Sequence, residues 1–266
     1  MKISVITVVL NDLLGLKRTV QSVLKQRCKD YEYVILDGGS TDGTIEYINN
    51  LQIEGIKRSE PDAGIYNAMN KAVRLSKGDY CLFLNSGDTF YDDEVLAKAT
   101  EAIGSSDLYV GNTVEIGNHK LIGWAPDFLT VNYLMKTSIY HQSTFIRREL
   151  LVKYPYNESH KIVSDWEFFF ERWLQGCSYE KLDFFVSNYY LGGYSYVHQD
   201  LIALERKEVL ERLLPMRIVE EFIKEKDRKP LSKLEEKIRI AFTLPPIQRD
   251  LKIIRNAVKA LISDLF

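Results

Sequence analysis

Residues 80–90 read YCLFLNSGDTF. A short apolar run bounded by turn residues predicts a buried strand over Tyr80–Leu84, with Asp88 standing at its tip. A carboxylate at the end of a core strand must reach water or find a cation, and a hard divalent cation is one such partner. The pattern recurs upstream, where Tyr33–Leu36 runs into Asp37-Gly38-Gly39. Glycines there let backbone approach a flat ring or a phosphate closely, and the carboxylate can accept from an imide N–H. A third acid, Asp165, opens an apolar helix in Ser164-Asp165-Trp166-Glu167, followed by Phe168, Phe169 and Trp173. A carboxylate near its ordinary pKa is ionised at neutral pH and can take a proton. Asp165 is the first choice for that task and Glu167 the second. Each acid also has a plain structural reading. Asp37-Gly38 can be a turn. Asp62, Ser164 or Asp165 can cap helices, and Asp92-Asp93-Glu94 compete with Asp88 to start the next one.

The elements that must hold these residues alternate in type. Strands are expected at Ser4–Leu10, Tyr33–Leu36, Ile53–Arg58 and Tyr80–Leu84. Helices are expected at Leu14–Lys25, from about Thr41 to Leu51, and at Ala63–Leu75. Leu16, Val20, Val23 and Leu24 share one helical face; Ile45, Ile48 and Leu51 another; Ile65, Met69, Ala72 and Val73 a third. Strand–helix alternation implies parallel pairing with right-handed crossovers, a doubly wound α/β layer. Ligands in such sheets bind beyond the carboxyl ends of the strands. Asn11-Asp12, Asp37–Ser40 and Asn85–Asp88 all fall there, so three polar loops should converge on one edge. Residues 107–200 carry shorter strand-like runs around one helix, Asp165–Leu174, a mixed-sheet extension of the same domain.

The 266 residues suit one domain with an appendage. A formal charge of −2 argues against a nucleic-acid binder that works by bulk charge. MKISVITVVLN reads as a strand rather than a signal peptide, and no run is long enough to span a bilayer. Three cysteines without metal-like spacing fit a reduced, cytoplasmic protein. The four histidines form no zinc signature. From Asp200 the chain turns helical and charged, with 15 Lys and Arg against 12 Asp and Glu, net +3, leaving −5 for the first 199 residues. Ile247, Leu251, Ile254, Val258, Leu261 and Leu265 form one apolar stripe flanked by basic residues. It suits packing on the domain, a second copy of the chain, or a membrane surface.

The stretches SVITVVLN (4–11), VILDGGSTDGT (34–44), SEPDAGIYNAMNKAV (59–73), KGDY (77–80) and FLNSGD (83–88) resemble the amino half of family 2 glycosyltransferases with the GT-A fold. The resemblance runs more weakly through HQSTFIRRE (141–149) and VSDWEF (163–168), and is strongest to bacterial enzymes of exopolysaccharide or surface-antigen synthesis. It implies a Rossmann-like, mostly parallel sheet flanked by helices over residues 1–199, with a nucleotide-binding half (1–90), an acceptor half (91–199) and a helical extension (200–266). It implies an inverting, single-displacement transfer from a nucleotide-diphosphate sugar, with UDP favoured, to a hydroxyl of a glycan or lipid-linked saccharide. The setting would be the cytoplasm or the inner membrane face.

By the same resemblance Val8, Leu10, Asp37, Gly39, Asp62, Lys71, Asn85 and Asp88 contact the nucleotide, and Asp165 is the catalytic base. The family usually places two acids at the diphosphate. Here only Asp88 remains, so a Mn²⁺ or Mg²⁺ site would be loose, completed by diphosphate, water and His198. His141, Trp166, Glu167 and Tyr194 are expected toward the acceptor, and Gly192-Gly193 suggests a loop able to close over the donor. A non-catalytic sugar-nucleotide-binding subunit is the competing reading, and the reduced acid motif would suit it. A sugar-phosphate nucleotidyltransferase would need a Gly-rich, Arg-containing amino-terminal loop, which is missing.

Overall fold

A computed structural model describes residues 1–192 and 198–226. The chain divides into two units, Met1–Leu213 and Leu214–Phe266. The first opens with β1 (Ile3–Val9), α1 (Leu13–Leu24), β2 (Tyr31–Asp37), α2 (Thr44–Asn50), β3 (Ile56–Ser59), α3 (Ile65–Leu75) and β4 (Tyr80–Phe83). It continues with β5 (Thr89–Phe90), α4 (Val95–Ala102), β6 (Leu108–Ile116), β7 (Lys120–Gly123), α5 (Val131–Lys136), a 3-10 turn (His141–Ser143) and β8 (Thr144–Arg147). It closes with α6 (Arg148–Lys153), α7 (Ser164–Leu174), β9 (Tyr179–Tyr190) and α8 (Gln199–Leu213). The helix Gln199–Leu213, expected in the extension, thus belongs to the first unit. In the second unit α9 (Met216–Lys226) begins just after Pro215, whose carbonyl accepts from the Ile218 N–H at 2.8 Å. The apolar stripe at 247–265 lies outside the described residues.

One mixed sheet runs in the order β3-β2-β1-β4-β8-β6-β9-β5, with β7 hydrogen-bonded to β6. The amino half is parallel throughout, as the alternation of elements demands. Beyond β4 the pairing is antiparallel to β8 and onward to β6, while β6 and β9 run parallel. All seven residues of β1 are buried, which its apolar run with interspersed Ser4 and Thr7 foretold. The two hydroxyls are satisfied: Thr7 donates to the Leu84 carbonyl at 2.7 Å and Ser4 to the Glu32 carboxylate at 2.5 Å. Leu16, Val20 and Val23 bury one face of α1 as spaced, whereas Leu24 ends the helix 40% exposed. Ile65 is likewise exposed where α3 begins.

The strand order reverses between β2-β1 and β4, the switch point at which α/β sheets bind ligands. There the three loops are stitched together. The Asn11 N–H donates to Ser40 Oγ at 2.7 Å, and Asn11 Oδ1 accepts from the Thr41 N–H at 2.8 Å. Asp42 Oδ2 accepts from the Leu13 N–H at 2.9 Å, and the Val8 carbonyl accepts from the Ser86 N–H at 3.1 Å. Because β8 runs antiparallel to β4, its start lies at the same edge as the end of β4. The turn carrying His141 therefore meets Asn85.

Candidate active site

Asp37 is fully buried at the end of β2. Its Oδ2 accepts from the Gly39 and Ser40 N–H groups at 2.9 and 3.0 Å and from the Ser59 hydroxyl at 2.7 Å; its Oδ1 accepts from the Ser40 hydroxyl at 2.5 Å. With both oxygens engaged, Asp37 builds the loop. Asp62 is half-buried nearby, its Oδ1 accepting from the Gly64 N–H at 2.9 Å. A Cβ added to Gly38 would come within 2.3 Å of Asp62 Oδ2, so the Asp62 carboxylate fills the space that a side chain at position 38 would occupy. Gly38 matters for this room, and Gly39 for a φ of +90° that favours glycine. Leu10, 55% exposed, lies against Gly38, whereas Val8 is buried and contributes only its carbonyl. Lys71 Nζ donates to the Pro61 carbonyl at 2.9 Å and lies 3.1 Å from Glu60 Oε1, bracing the loop before Asp62.

These two acids should respond differently to replacement. Asp37→Ala strands several buried donors, each at about 1–3 kcal/mol, so the melting temperature should fall sharply. Asp62→Ala should leave melting nearly unchanged. Thermal melts of both variants check this; equal melting of the two would contradict it.

Asp88 sits at the far end of the Asn85–Asp88 turn. Thr19 of α1 holds that turn, donating to the Asp88 carbonyl at 2.7 Å and accepting from the Gly87 N–H at 3.0 Å. Gly87 has φ +99°, which makes the turn possible. The Asp88 carboxyl is 6% exposed, and its Oδ1 accepts from the Tyr190 N–H at 3.1 Å. Burial pushes its pKa up to about 6, partly offset by the Tyr190 N–H, His141, Gln142 and Arg18. A buried, under-compensated oxygen ligand suits a hard cation held by one protein carboxylate and by ligand oxygens. Among the described residues no group of three or more His, Cys, Asp and Glu side chains could hold a metal. His198 is exposed just before α8, its carbonyl accepting from the Ile202 N–H, and it joins no such group.

Asp165 lies in the first turn of α7. His141 Nδ1 is 2.7 Å from its Oδ2; the Tyr66 hydroxyl and the Trp166 N–H each reach Oδ1 at 2.9 Å. Burial alone would raise its pKa, but the His141 contact and charge, with Tyr66 and the Trp166 N–H, hold it below the ordinary carboxylate value. With Asp165 ionised, His141 Nδ1–H donates to it, and His141 Nε2 lies 3.4 Å from Asn85 Nδ2. Asn85 Oδ1 is buried without a partner. Asp165, His141 and Asn85 thus form a chain from the α7 side of the cleft to the Asp88 turn.

The cleft beside Asp165 has a volume of about 460 Å³ and is lined by Glu115, Tyr140, His141, Trp166 and Arg206 among others, within the range of small-molecule sites. Glu167 and Trp166 are both committed to contacts within the protein. Glu167 is 4% exposed and bonded to His160 Nδ1 at 2.6 Å, to Asn157 and to Arg212, so it ties α8 to α7. Trp166 is 2% exposed, its Nε1 donating to the Leu134 carbonyl at 2.6 Å, so it braces the cleft wall and offers no face to a sugar. Tyr194 lies outside the described residues. Sequence reasoning missed Tyr66, which stands inside the quoted SEPDAGIYNAMNKAV stretch. It also missed Glu205, whose buried carboxylate accepts from the N–H groups of Lys161, Ile162 and Val163 at 2.7–3.2 Å and fixes the loop before Asp165.

Three acids thus stand around the switch point: Asp62 beside Gly38, Asp88 in the turn after β4, and Asp165, linked to that turn through His141 and Asn85. Residues 4–164 match the model for glycosyl transferase family 2, and the chain belongs to that family. Glycosyl transfer as its general activity follows from that membership. Asp165 falls one residue past the matched span. A PGL/p-HBAD biosynthesis glycosyltransferase of Mycobacterium tuberculosis (strain ATCC 25177 / H37Ra) is 35% identical over 173 residues, 62% of this chain and 67% of that protein. An uncharacterized glycosyltransferase of Mycobacterium tuberculosis (strain ATCC 25618 / H37Rv) is 36% identical over 175 residues, 62% and 66% of the two chains. The chain thus spans about two thirds of the length of these relatives. Solved structures share the fold. S. aureus TarS 1-349 in complex with UDP-GlcNAc superposes with a TM-score of 0.62 at 19% identity, covering 81% of this chain and 68% of that one. The mannosyltransferase PcManGT from Pyrobaculum calidifontis, in complex with GDP-Man and Mn²⁺, gives 0.56 at 14% identity, covering 73% and 58%.

Proposed function

We propose that the chain transfers a sugar from a UDP-sugar to an acceptor hydroxyl with inversion, in the assembly of a surface glycan or glycolipid. The single observation that carries this reading is the Asp165–His141–Asn85 chain, which joins a base to the turn holding Asp88. Asp62, which covers Gly38, accepts from the uracil imide. Asp88, with diphosphate oxygens and water, would hold Mn²⁺ or Mg²⁺; the ion would neutralise charge gathering on the leaving diphosphate. A TarS structure with UDP-GlcNAc and a mannosyltransferase structure with GDP-Man and Mn²⁺ support a nucleotide-sugar donor, UDP being the better fit to an imide-accepting carboxylate.

The proton follows from the geometry. A carboxylate offers about four acceptor positions, and three of those on Asp165 are occupied. The remaining position is on Oδ2, and Asp165 lines the cleft. The acceptor oxygen bonds to the anomeric carbon as the bond to the diphosphate oxygen breaks, with its electron pair leaving on the diphosphate. The hydroxyl proton passes to Asp165, and His141 and Tyr66 keep the carboxylate aimed. No covalent sugar–enzyme intermediate forms.

A panel of nucleotide sugars, scored by thermal shift and then by UDP release, tests the reading, since ligand binding to the native state raises melting temperature. A shift with UDP-sugars and none with other donors is expected; no response to any member would overturn it. The pH dependence adds a check. A protonated Asp88 cannot neutralise a cation, and its pKa stands at about 6 before one binds. Affinity for the UDP-sugar with Mn²⁺ should therefore be full above neutrality and fall as pH drops through about 6. Titrations from neutral pH down to about pH 5 measure this, with Asp88→Asn expected to give a flat, weak profile; a flat profile in the unaltered chain would contradict the role of Asp88.

No helix of the described residues is long and apolar enough to cross a membrane.

A further inference from the structure

Helix α8 carries a cation into the cleft that the transfer chemistry does not use. The Arg206 guanidinium lies 4.7 Å over the Trp166 ring, and its Nη1 donates to the Lys136 carbonyl at 3.4 Å. Its Nε is buried without a hydrogen-bond partner. Arg206 lines the same cleft as Asp165 and His141. The carboxylates of that cleft are already committed, Asp165 to His141 and Tyr66, Glu115 to the Tyr140 hydroxyl. Among the described residues Arg206 forms no ion pair. Nor can it drift, because the preceding Glu205 is clamped by three backbone N–H groups of the loop before α7.

Arg206 is drawn partly out of water, and the charge of nearby Asp165 offsets only part of that cost. A guanidinium fixed on one face by an aromatic ring still presents its edge as a planar fork for oxyanions. We infer that Arg206 recognises an oxyanion, phosphoryl or carboxyl, carried by the acceptor near its reacting hydroxyl. The chain would thus be selective for acidic acceptors over neutral glycans. This rests on the transfer reading of the same cleft.

The test uses Trp166 as the reporter. In a full-length chain with Trp124→Phe and Trp173→Phe, Trp166 is the remaining tryptophan. With the donor side saturated by UDP, inorganic phosphate and acetate are titrated separately while Trp166 fluorescence is read. Saturable quenching is expected, and the stronger anion identifies a phosphoryl or a carboxyl group. Arg206→Gln should raise the half-saturating concentration at least about tenfold. Arg206→Lys, which keeps the charge and loses the fork, should fall between, and thermal melts check that both variants fold. Equal anion binding by Arg206→Gln and the unaltered protein would overturn the inference. So would no anion response in the unaltered protein while UDP binds normally. Absence of UDP binding would instead defeat the transfer reading beneath it.

Discussion

Replacing Asp165 by Asn should lower sugar transfer roughly a thousandfold while leaving UDP affinity within about twofold. The change removes a charge and little volume, and Asn keeps an oxygen for the Tyr66 hydroxyl. What it cannot do is take a proton from the acceptor. It can also turn its amide toward His141, favouring the other imidazole tautomer and misaligning the chain to Asn85. A true base is expected to show in turnover and hardly at all in donor binding. The competing reading, a module that binds sugar nucleotides without transferring sugar, predicts no transfer in the unaltered chain and nothing for the substitution to abolish. Radiolabelled transfer alongside UDP titration separates the two, and intact transfer in Asp165→Asn would remove Asp165 from the chemistry.

The second large effect belongs to Asp88. Asp88→Asn should reduce transfer about a hundredfold or more, and a chelator should do the same to the unaltered chain, with recovery on adding Mn²⁺ or Mg²⁺. Folding should not suffer. The carboxyl is buried and its pKa is raised to about 6, mainly by that burial, so the ionised form is disfavoured in the native state. Neutral Asn relieves this, and the melting temperature should hold or rise at neutral pH. A gain in stability coupled to a loss of transfer is the mark of a residue kept for chemistry rather than for packing. Full activity in chelator would refute the role of the cation. Full activity of Asp88→Asn would refute the role of the carboxylate.

The parallel amino half was legible because its signals are local. Apolar runs end in Gly, Asn and Asp, and helical spacing marks the buried faces at Leu16, Val20 and Val23. The convergence of the three loops was legible too, since strand–helix alternation leaves few topologies. The roles of single acids were harder to read. Nothing in VILDGGSTDGT tells that Ser40 and Ser59 close around Asp37, or that Gly38 leaves room for a carboxylate from residue 62; those are facts of strand pairing between β2 and β3. The different settings of Asp165 and Glu167 follow from helix geometry. Two residues on a helix turn the side chain by about 200°, so Asp165 and Glu167 cannot share one face. Glu205 and Arg206 lay in a stretch so rich in charge that no two residues stood out, and only the packing of α8 against the loop before α7 distinguishes them.

One structure of the chain with UDP and Mn²⁺ tests the central claim most directly, that Asp62, Asp88 and Asp165 serve a single donor. Uracil is predicted beside Asp62, the diphosphate at Asp88, and the Asp165 carboxylate one sugar ring beyond the terminal phosphate. UDP seated at another edge of the sheet, or with Asp165 turned from the phosphate by the body of α7, would contradict the account.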